Sequence, residues 1–217
     1  HPDVTMLSDT GRFNRSDVPP LLRRYGVDRI DLLVVTHPHA DHVGQFDDVI
    51  AAFDVDEVWW SGATATSRTF ERAVAALDAS DARYEEPRAG AVTTVGPLGI
   101  EILHPGAGDS LRDLNDASIA MRITYGGFRL VMTGDAERVS EARMLGRHPD
   151  RLAADVLRLG HHGSSTSTTP DFLTTAPPSA PAYPAGADNR YRHPPTEVVA
   201  RVPARAIPLH RRDPPGP

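Results

Sequence analysis

Residues 36–42 read Thr36-His37-Pro38-His39-Ala40-Asp41-His42, which places four potential metal ligands within six consecutive positions. The preceding residues 30–35 are a short apolar run of the kind that forms a buried strand. Side chains two residues apart in an extended segment point the same way, so His37 and His39 can bind one ion. The last two ligands follow at a predicted turn into a helix and can bind a second ion. The pattern predicts a two-metal site at the end of a strand.

This interpretation has a purely structural alternative. Single histidines are more often surface or satisfied core residues than ligands, and an isolated His-x-His pair is weak support for a metal. Four ligands in this order are different. Clustered imidazoles and a carboxylate at a strand end cost desolvation free energy unless a cation compensates them, which favours the metal site.

Composition limits the class of protein. The chain has 217 residues and 40% hydrophobic content, which predicts one domain over residues 1–217 with a substantial core. Cysteine is absent, so disulfides and thiolate zinc sites are excluded and histidine, aspartate and glutamate remain as strong metal ligands. There is no run of eighteen apolar residues, so no transmembrane segment is predicted in this chain.

Charge gives a weaker indication about partners. The formal net charge is −6 and all 23 basic residues are arginine. A protein that coats long stretches of nucleic acid usually has a basic excess, which is missing here. An enzyme that holds only one or two phosphates needs just a few arginines, so the acidic balance does not exclude a nuclease.

The hydrophobic pattern predicts alternating strands and helices. Strands are predicted at residues 4–8, 30–35, 55–60, 118–125, 128–133 and 155–159, and helices at 18–25, 46–53, 66–79 and 139–145. Residues 91–103 form short extended pieces, and the proline- and threonine-rich stretch 166–184 is predicted to be a loop or coil. The chain thus has two halves, each with strands followed by helices. This pattern predicts an α/β protein with two sheets packed face to face and helices outside.

Three later segments also carry chemistry, and each has a simpler interpretation. Asp135 follows an apolar strand in Thr133-Gly134-Asp135-Ala136-Glu137, where it could bridge two ions or cap a helix. The pair His161-His162 follows another predicted strand and could complete the second metal site, or could form an exposed turn. His193 lies in a proline-rich context, where either a functional or a structural role is open.

Together these segments resemble the metallo-β-lactamase superfamily, and in particular the extracytoplasmic C-terminal domain of ComEC-type competence proteins. The resemblance rests on THPHADH, TGDAE, GHHGSS and NRYRHP in that order, with an early Asp-Thr-Gly turn at residues 9–11 and an Asn-Asp-x-Ser stretch at 115–118. It implies a four-layer αβ/βα sandwich. Both ends of the chain are expected to be truncated, with terminal strands of that sandwich missing.

The resemblance also implies roles for individual residues. The implied metal ligands are His37 and His39 on one ion, Asp41, His42 and His161 on the other, and Asp135 between them. His162 is the alternative to His161. A further first-site ligand is expected before the bridging aspartate, where His104, Asn115 or Asp116 are available. The implied catalytic residues are Asp41, His162 and His193, with either histidine as the proton donor to the leaving group. Asp9 is implied to orient a ligand.

The implied function is that of a dinuclear metal-dependent hydrolase using zinc or manganese. Two bound divalent ions acidify water and stabilise transition-state charge. DNA or another phosphodiester is the implied substrate, with a membrane-embedded transporter region in the full-length protein and an extracytoplasmic location. The alternatives are a hydrolase acting on a lactam, lactone, thioester or small phosphoester, and a weakly active metal-binding module for DNA uptake. Arg192 departs from the family pattern, which has glycine there.

Overall fold

The structure is a computed structural model that describes residues 4–12, 17–182 and 195–202. The strands are β1 Met6–Ser8, β2 Arg29–Ile30, β3 Leu32–Val35, β4 Asp54–Val55, β5 Glu57–Trp60, β6 Arg83–Glu85, β7 Val92–Val95, β8 Leu98–His104, β9 Ala120–Tyr125, β10 Phe128–Met132, β11 Val156–Arg158 and β12 Ala180–Ala182. The helices are α1 Val18–Arg24, α2 Phe46–Ala52, α3 Arg68–Asp78, α4 Arg138–Arg147, α5 Pro170–Thr175 and α6 Thr196–Arg201. Short 3-10 turns lie at Pro149–Arg151 and His161–Gly163.

The strands form two main sheets. The first has the order β1-β3-β5-β6, and all its neighbouring strands are parallel. The second has the order β12-β11-β10-β9-β8-β7, in which β10, β11 and β12 run parallel and the remaining neighbours are antiparallel. A separate pair joins β2 to β4. Since parallel strands in one sheet end at the same edge, the loops after β1, β3 and β5 leave side by side, as do those after β10 and β11.

The alternation of side chains along the strands produces the layers. In β3, Leu33 and Val35 pack with α1, α2 and α3, while Leu32 and Val34 face the second sheet and pack with Ile100 and other apolar residues there. The other face of the second sheet packs against α4, α5 and α6. The order helix, sheet, sheet, helix follows, so the predicted α/β fold with two facing sheets is confirmed.

The chain between residues 166 and 184 differs from the prediction. It contains α5 and β12, whereas a loop or coil was expected. Pro170 occupies the first turn of α5, where a missing N–H costs nothing, and the Thr169 side chain accepts a hydrogen bond from the Phe172 backbone. Phe172 is buried in the core. Proline here starts a helix, and the expectation of a loop was wrong.

The strands predicted at residues 118–125 and 128–133 form a hairpin. β9 and β10 are antiparallel and are joined by the two residues Gly126 and Gly127. Gly126 has a φ of 56°, the left-handed conformation that this kind of short turn requires. Within the described part of the chain, every helix is too short or too polar to cross a lipid bilayer.

Candidate metal centre

The candidate ligands meet where the carboxyl edges of the two sheets face each other. His37 follows β3, Asp135 follows β10 and His161 follows β11. Two backbone hydrogen bonds join the loops that carry them. The Ile119 N–H donates to the Thr36 carbonyl at 2.9 Å, and the His161 N–H donates to the Gly134 carbonyl at 3.1 Å. Loops that are distant in sequence are therefore held against one another.

One group of possible ligands consists of His37, His42 and Asp135, which are all buried and whose ligand atoms lie within 4.8 Å of one another. His37 Nε2 lies 3.9 Å from Asp135 Oδ2 and 2.9 Å from His39 Nδ1. His39 is less buried than His37. The two histidines of the His-x-His pair thus turn ring nitrogens toward the same point, as the sequence predicts.

A second group consists of Asp41, His42 and His162, again with ligand atoms within 4.8 Å of one another. His162 Nε2 lies 3.4 Å from Asp135 Oδ2 and 3.9 Å from Asp41 Oδ2. His42 Nε2 lies 3.3 Å from the same Asp135 oxygen. Since His42 belongs to both groups and Asp135 touches both, the two groups adjoin.

The donor set suits a divalent cation. Asp135 Oδ1 is buried and makes no hydrogen bond to any residue that the structure describes, and the buried His42 Nε2 lies 3.3 Å from the other oxygen of that carboxylate. Buried polar atoms normally have partners, and a cation would satisfy both of these. Imidazole nitrogens with carboxylate oxygens are ligands that zinc, manganese and iron accept. The residues present therefore fit a metal centre.

The pKa values of the clustered side chains bear on metal binding. Burial by itself would raise the pKa of Asp135, but hydrogen bonding to His42 and its charge hold that pKa far below the ordinary value. Burial and the neighbouring His42 lower the pKa of His37 well below its usual range. Burial would also lower the pKa of His42, but the charge of Asp9 and contacts with Asp135 raise it to about 10. At neutral pH the Asp135 carboxylate is ionised and His37 is neutral, which are the forms that coordinate metals, whereas His42 is protonated and must lose its Nε2 proton to bind a cation.

Asp9 orients His42. Its Oδ2 lies 2.9 Å from His42 Nδ1, and its Oδ1 accepts hydrogen bonds from the Thr36 backbone N–H at 2.8 Å and the Thr36 hydroxyl at 2.9 Å. Asp9 adopts a left-handed φ of 62°, an uncommon conformation for a residue other than glycine. With Nδ1 engaged by the carboxylate, Nε2 is the nitrogen that faces the cluster.

Glu137 supports His161 in a similar way. Its Oε1 lies 2.9 Å from His161 Nδ1, while His161 Nε2 lies 3.9 Å from Asp135 Oδ2. The same Oε1 accepts hydrogen bonds from the Thr166 hydroxyl at 2.9 Å and the Asn115 amide at 3.2 Å. The sequence predicted no role for Glu137, which follows Asp135 by two residues. The contact with His161 is visible only in the tertiary structure.

Both histidines of the pair face Asp135 because the backbone bends sharply there. His161 has a φ of 46° and His162 a φ of 53°, so two successive residues other than glycine are left-handed. Such strain persists only where surrounding contacts hold it, and it concentrates at functional sites. In an extended strand, neighbouring side chains would have pointed to opposite faces.

Gly134 permits the close approach of the loops. It has a φ of 56°, and a Cβ atom at this position would lie 2.8 Å from the Ser118 Cβ and 3.0 Å from the Thr36 Cβ. Ser118 Oγ accepts a hydrogen bond from the Asp135 N–H at 2.9 Å and lies 3.3 Å from His37 Nδ1. Ser118 therefore ties the bridging candidate to the first histidine.

The residues considered for a further first-site ligand make other contacts. His104 is buried, with Nε2 2.7 Å from the Asp116 carbonyl and 3.1 Å from the Ser140 hydroxyl. Asn115 donates to Glu137, as described above, and Asp116 accepts from backbone N–H groups at the start of α4. His193 lies outside the described residues.

Comparison with known proteins supports the family resemblance. The profile of the metallo-beta-lactamase superfamily matches residues 1–186. ComE operon protein 3 of Bacillus subtilis is 29% identical over 89% of this chain and 25% of its own length. Competence protein ComA of Neisseria gonorrhoeae is 31% identical over 96% of this chain and 28% of its own length. The chain thus spans about a quarter of the length of these relatives.

A solved structure shows the same fold. The crystal structure of a new diphosphatase from the PhnP family aligns with a TM-score of 0.51 at 17% identity. The alignment covers 97% of this chain and 79% of that one. At this identity the likeness supports the arrangement of layers alone.

Proposed function

Since the chain belongs to the metallo-beta-lactamase superfamily, we propose that it hydrolyses phosphodiesters with two divalent ions and that its substrate is DNA. The fold and the cluster of histidines and aspartates support a metal-dependent hydrolase in general. The observation that carries the two-ion proposal is the position of Asp135, whose Oδ2 lies 3.9 Å from His37 Nε2 and 3.4 Å from His162 Nε2, so that one carboxylate reaches ligands of both proposed ions. Two such ions acidify water and offset charge that develops on a phosphoryl group.

The geometry supports a specific assignment of ligands. We assign His37, His39 and Asp135 to the first ion, and Asp41, His42 and His162 with Asp135 to the second. His162 takes the position for which the sequence favoured His161, because its Nε2 approaches both Asp135 and Asp41. The ions would be zinc or manganese, which histidine and carboxylate ligands accept.

His161 would then act on the substrate. Glu137 accepts a hydrogen bond from the Nδ1 side of the ring, which leaves Nε2 directed toward the cluster. When its ring is protonated, an imidazole held in this way can donate a hydrogen bond from Nε2 to a substrate oxygen or a proton to a leaving group. The roles predicted for Asp41, His162 and His193 in catalysis remain predictions. Asp41 stays a proposed ligand of the second ion, and His162, which the resemblance implied as the alternative ligand, joins it there.

DNA as the substrate is supported by the relative from Neisseria gonorrhoeae, which is named a competence protein. The membrane-embedded transporter region and the extracytoplasmic location that the resemblance implies stay predictions. A single phosphate contacting two ions requires no overall basic charge, so the net charge of −6 is compatible with this substrate.

The test uses purified protein loaded with manganese or zinc. We expect hydrolysis of bis-p-nitrophenyl phosphate and single-stranded DNA, no hydrolysis of nitrocefin, and a loss of roughly a hundredfold or more in the Asp135→Asn variant, since ligand loss should exceed the effect of an outer partner. Asp31→Asn is the matched control, because it makes the same carboxylate-to-amide change just before β3, where Asp31 accepts a hydrogen bond from the Thr5 N–H and is not a candidate ligand. Activity on nitrocefin alone, or full activity in Asp135→Asn, would contradict the proposal.

A further inference from the structure

A second feature of the molecule lies beside the metal centre. A cavity of about 620 Å³ opens between α3, β5 and β6. Its walls include Trp60, Phe70, Val74, Tyr84 and Glu86. A cavity of this size is within the range of small-molecule sites. None of the roles assigned so far uses it.

The strand register places one loop that lines this cavity beside the loop of the proposed ligands. β3 and β5 are parallel neighbours, with Val35 opposite Trp60. The segment from Ser61 onward therefore leaves the sheet beside Thr36 and His37, at a strand spacing of about 4.8 Å. Gly62, which lines the cavity, follows Trp60 by two residues, just as His37 follows Val35. The loop at Gly62 thus borders the cavity and leaves the same edge of the sheet as the loop that carries His37.

The walls offer flat apolar surface. Trp60 is buried and packs edge-to-face against Phe70, with ring centroids 5.5 Å apart. Tyr84 is 45% exposed and Val74 is 43% exposed, although both are large apolar side chains. Aromatic surface left open beside a reaction centre is suited to stacking with a planar ring.

Polar groups accompany this surface. The Trp60 indole Nε1–H is buried and donates to no residue in the described part of the chain. On the rim, the Tyr84 hydroxyl and Arg88 each donate a hydrogen bond of 2.8 Å to the Glu86 carboxylate. Gly62 has a φ of 81°, and a Cβ there would lie 2.5 Å from a Glu86 oxygen. Only glycine lets the carboxylate occupy this place, so the rim carries an acceptor whose charge Arg88 balances.

We propose that this cavity binds the nucleobase of a nucleotide next to the cleaved phosphodiester, an inference that rests on the proposed function. A base has a planar face that can stack on the exposed Tyr84 ring, and its edge carries N–H groups that can donate to the Glu86 carboxylate at the rim. A purely aliphatic ligand would use only the apolar walls. Because every base has a face that can stack, the site would accept several bases.

The experiment compares two ligands on metal-loaded protein. One is a short phosphorothioate oligothymidylate, which resists cleavage, and the other is an abasic phosphorothioate oligomer of equal length and charge. Affinities are measured by fluorescence anisotropy. Stacking of one base is worth about 1–3 kcal/mol, which corresponds to roughly five- to hundredfold, and we expect a preference of about tenfold for the oligothymidylate.

Three variants locate the preference. Tyr84→Leu removes the aromatic face, and Val74→Phe fills the cavity from the exposed side of α3. We expect each of them to reduce the preference to below about twofold. Tyr125→Leu replaces a more exposed tyrosine on the second sheet and should keep the full preference. Circular dichroism verifies the fold of each variant.

The outcomes separate this inference from the proposed function. Equal affinity for both oligomers, no binding of either, or a preference that survives Tyr84→Leu and Val74→Phe would overturn the nucleobase site. Cleavage of unmodified oligothymidylate is measured in parallel. Cleavage without a base preference would leave the proposed function intact, whereas a base preference without cleavage would support the cavity and reject the phosphodiesterase.

Discussion

Replacing Asp9 by asparagine should weaken metal binding without unfolding the protein. The carboxylate makes two kinds of contact. One oxygen accepts hydrogen bonds from the Thr36 backbone and hydroxyl, which an asparagine oxygen can still accept. The other oxygen lies 2.9 Å from His42 Nδ1, and asparagine would present an amide N–H there. One contact is therefore changed and the others remain.

The size of the effect follows from that single contact. A hydrogen bond to a charged group contributes about 1.5–3 kcal/mol. In addition, an amide that donates to Nδ1 favours the tautomer with its proton on Nε2, the nitrogen that faces the cluster, and a protonated nitrogen cannot coordinate. At about 1.4 kcal/mol for each factor of ten, we expect metal affinity to fall about 10- to 100-fold.

Competition with a metal-sensitive dye measures this affinity for manganese and zinc, and thermal unfolding in chelator verifies the fold. Asp31→Asn is the control, since Asp31 accepts a 2.7 Å hydrogen bond from the Thr5 N–H and should leave metal affinity unchanged. If folded Asp9→Asn binds both metals within twofold of the original protein, His42 does not depend on Asp9 and the ligand assignment is refuted.

Further predictions concern stability. A hydrogen bond from Arg147 lowers the pKa of Asp109 to about 2. The ionised carboxylate therefore stabilises the fold fully at pH values above the ordinary pKa of about 4, and this contribution is lost as the pH falls from about 4 to 2. Asp109→Asn should therefore cost about 2 kcal/mol in urea unfolding at pH 7 and less at pH 3. Met144→Ala should cost about 2–5 kcal/mol in the same assay, because the side chain is fully buried, with metal affinity retained. Gly134→Ala should cost about 1–3 kcal/mol and also weaken metal binding, which isothermal titration would detect. Chelation should lower the melting temperature, by the equivalent of about 2.7 kcal/mol when the metal had been at 100 times its Kd. An Asp109→Asn variant as stable as the original protein at pH 7 would contradict the first of these predictions. A Met144→Ala variant with an unchanged free energy of unfolding, or a Gly134→Ala variant that binds metal as tightly as the original protein, would contradict the corresponding one.

The positions of the candidate ligands along the chain were predictable because they depend on local pattern. Apolar runs before His37 and Asp135 predict strands, and polar residues directly after a strand lie at a sheet edge whatever the rest of the fold is. The His-x-His spacing similarly predicts that two rings share a side, and His37 and His39 are found with nitrogens 2.9 Å apart. The layered architecture follows from the same two periodicities.

Contacts between distant segments were not predictable in this way. Whether His161 or His162 approaches Asp41 depends on two left-handed residues that only the packed loops can hold. The support of His161 by Glu137 joins residues 24 positions apart.

The sequence by itself determined which chemical groups follow each strand, because strand formation and side-chain alternation are properties of neighbouring residues. Only the tertiary structure decided which ring nitrogen faces which carboxylate and which aromatic residues border the cavity at Trp60. Those distances depend on how two sheets pack and how their loops bend, and a change of one or two ångströms there alters coordination without altering any local pattern.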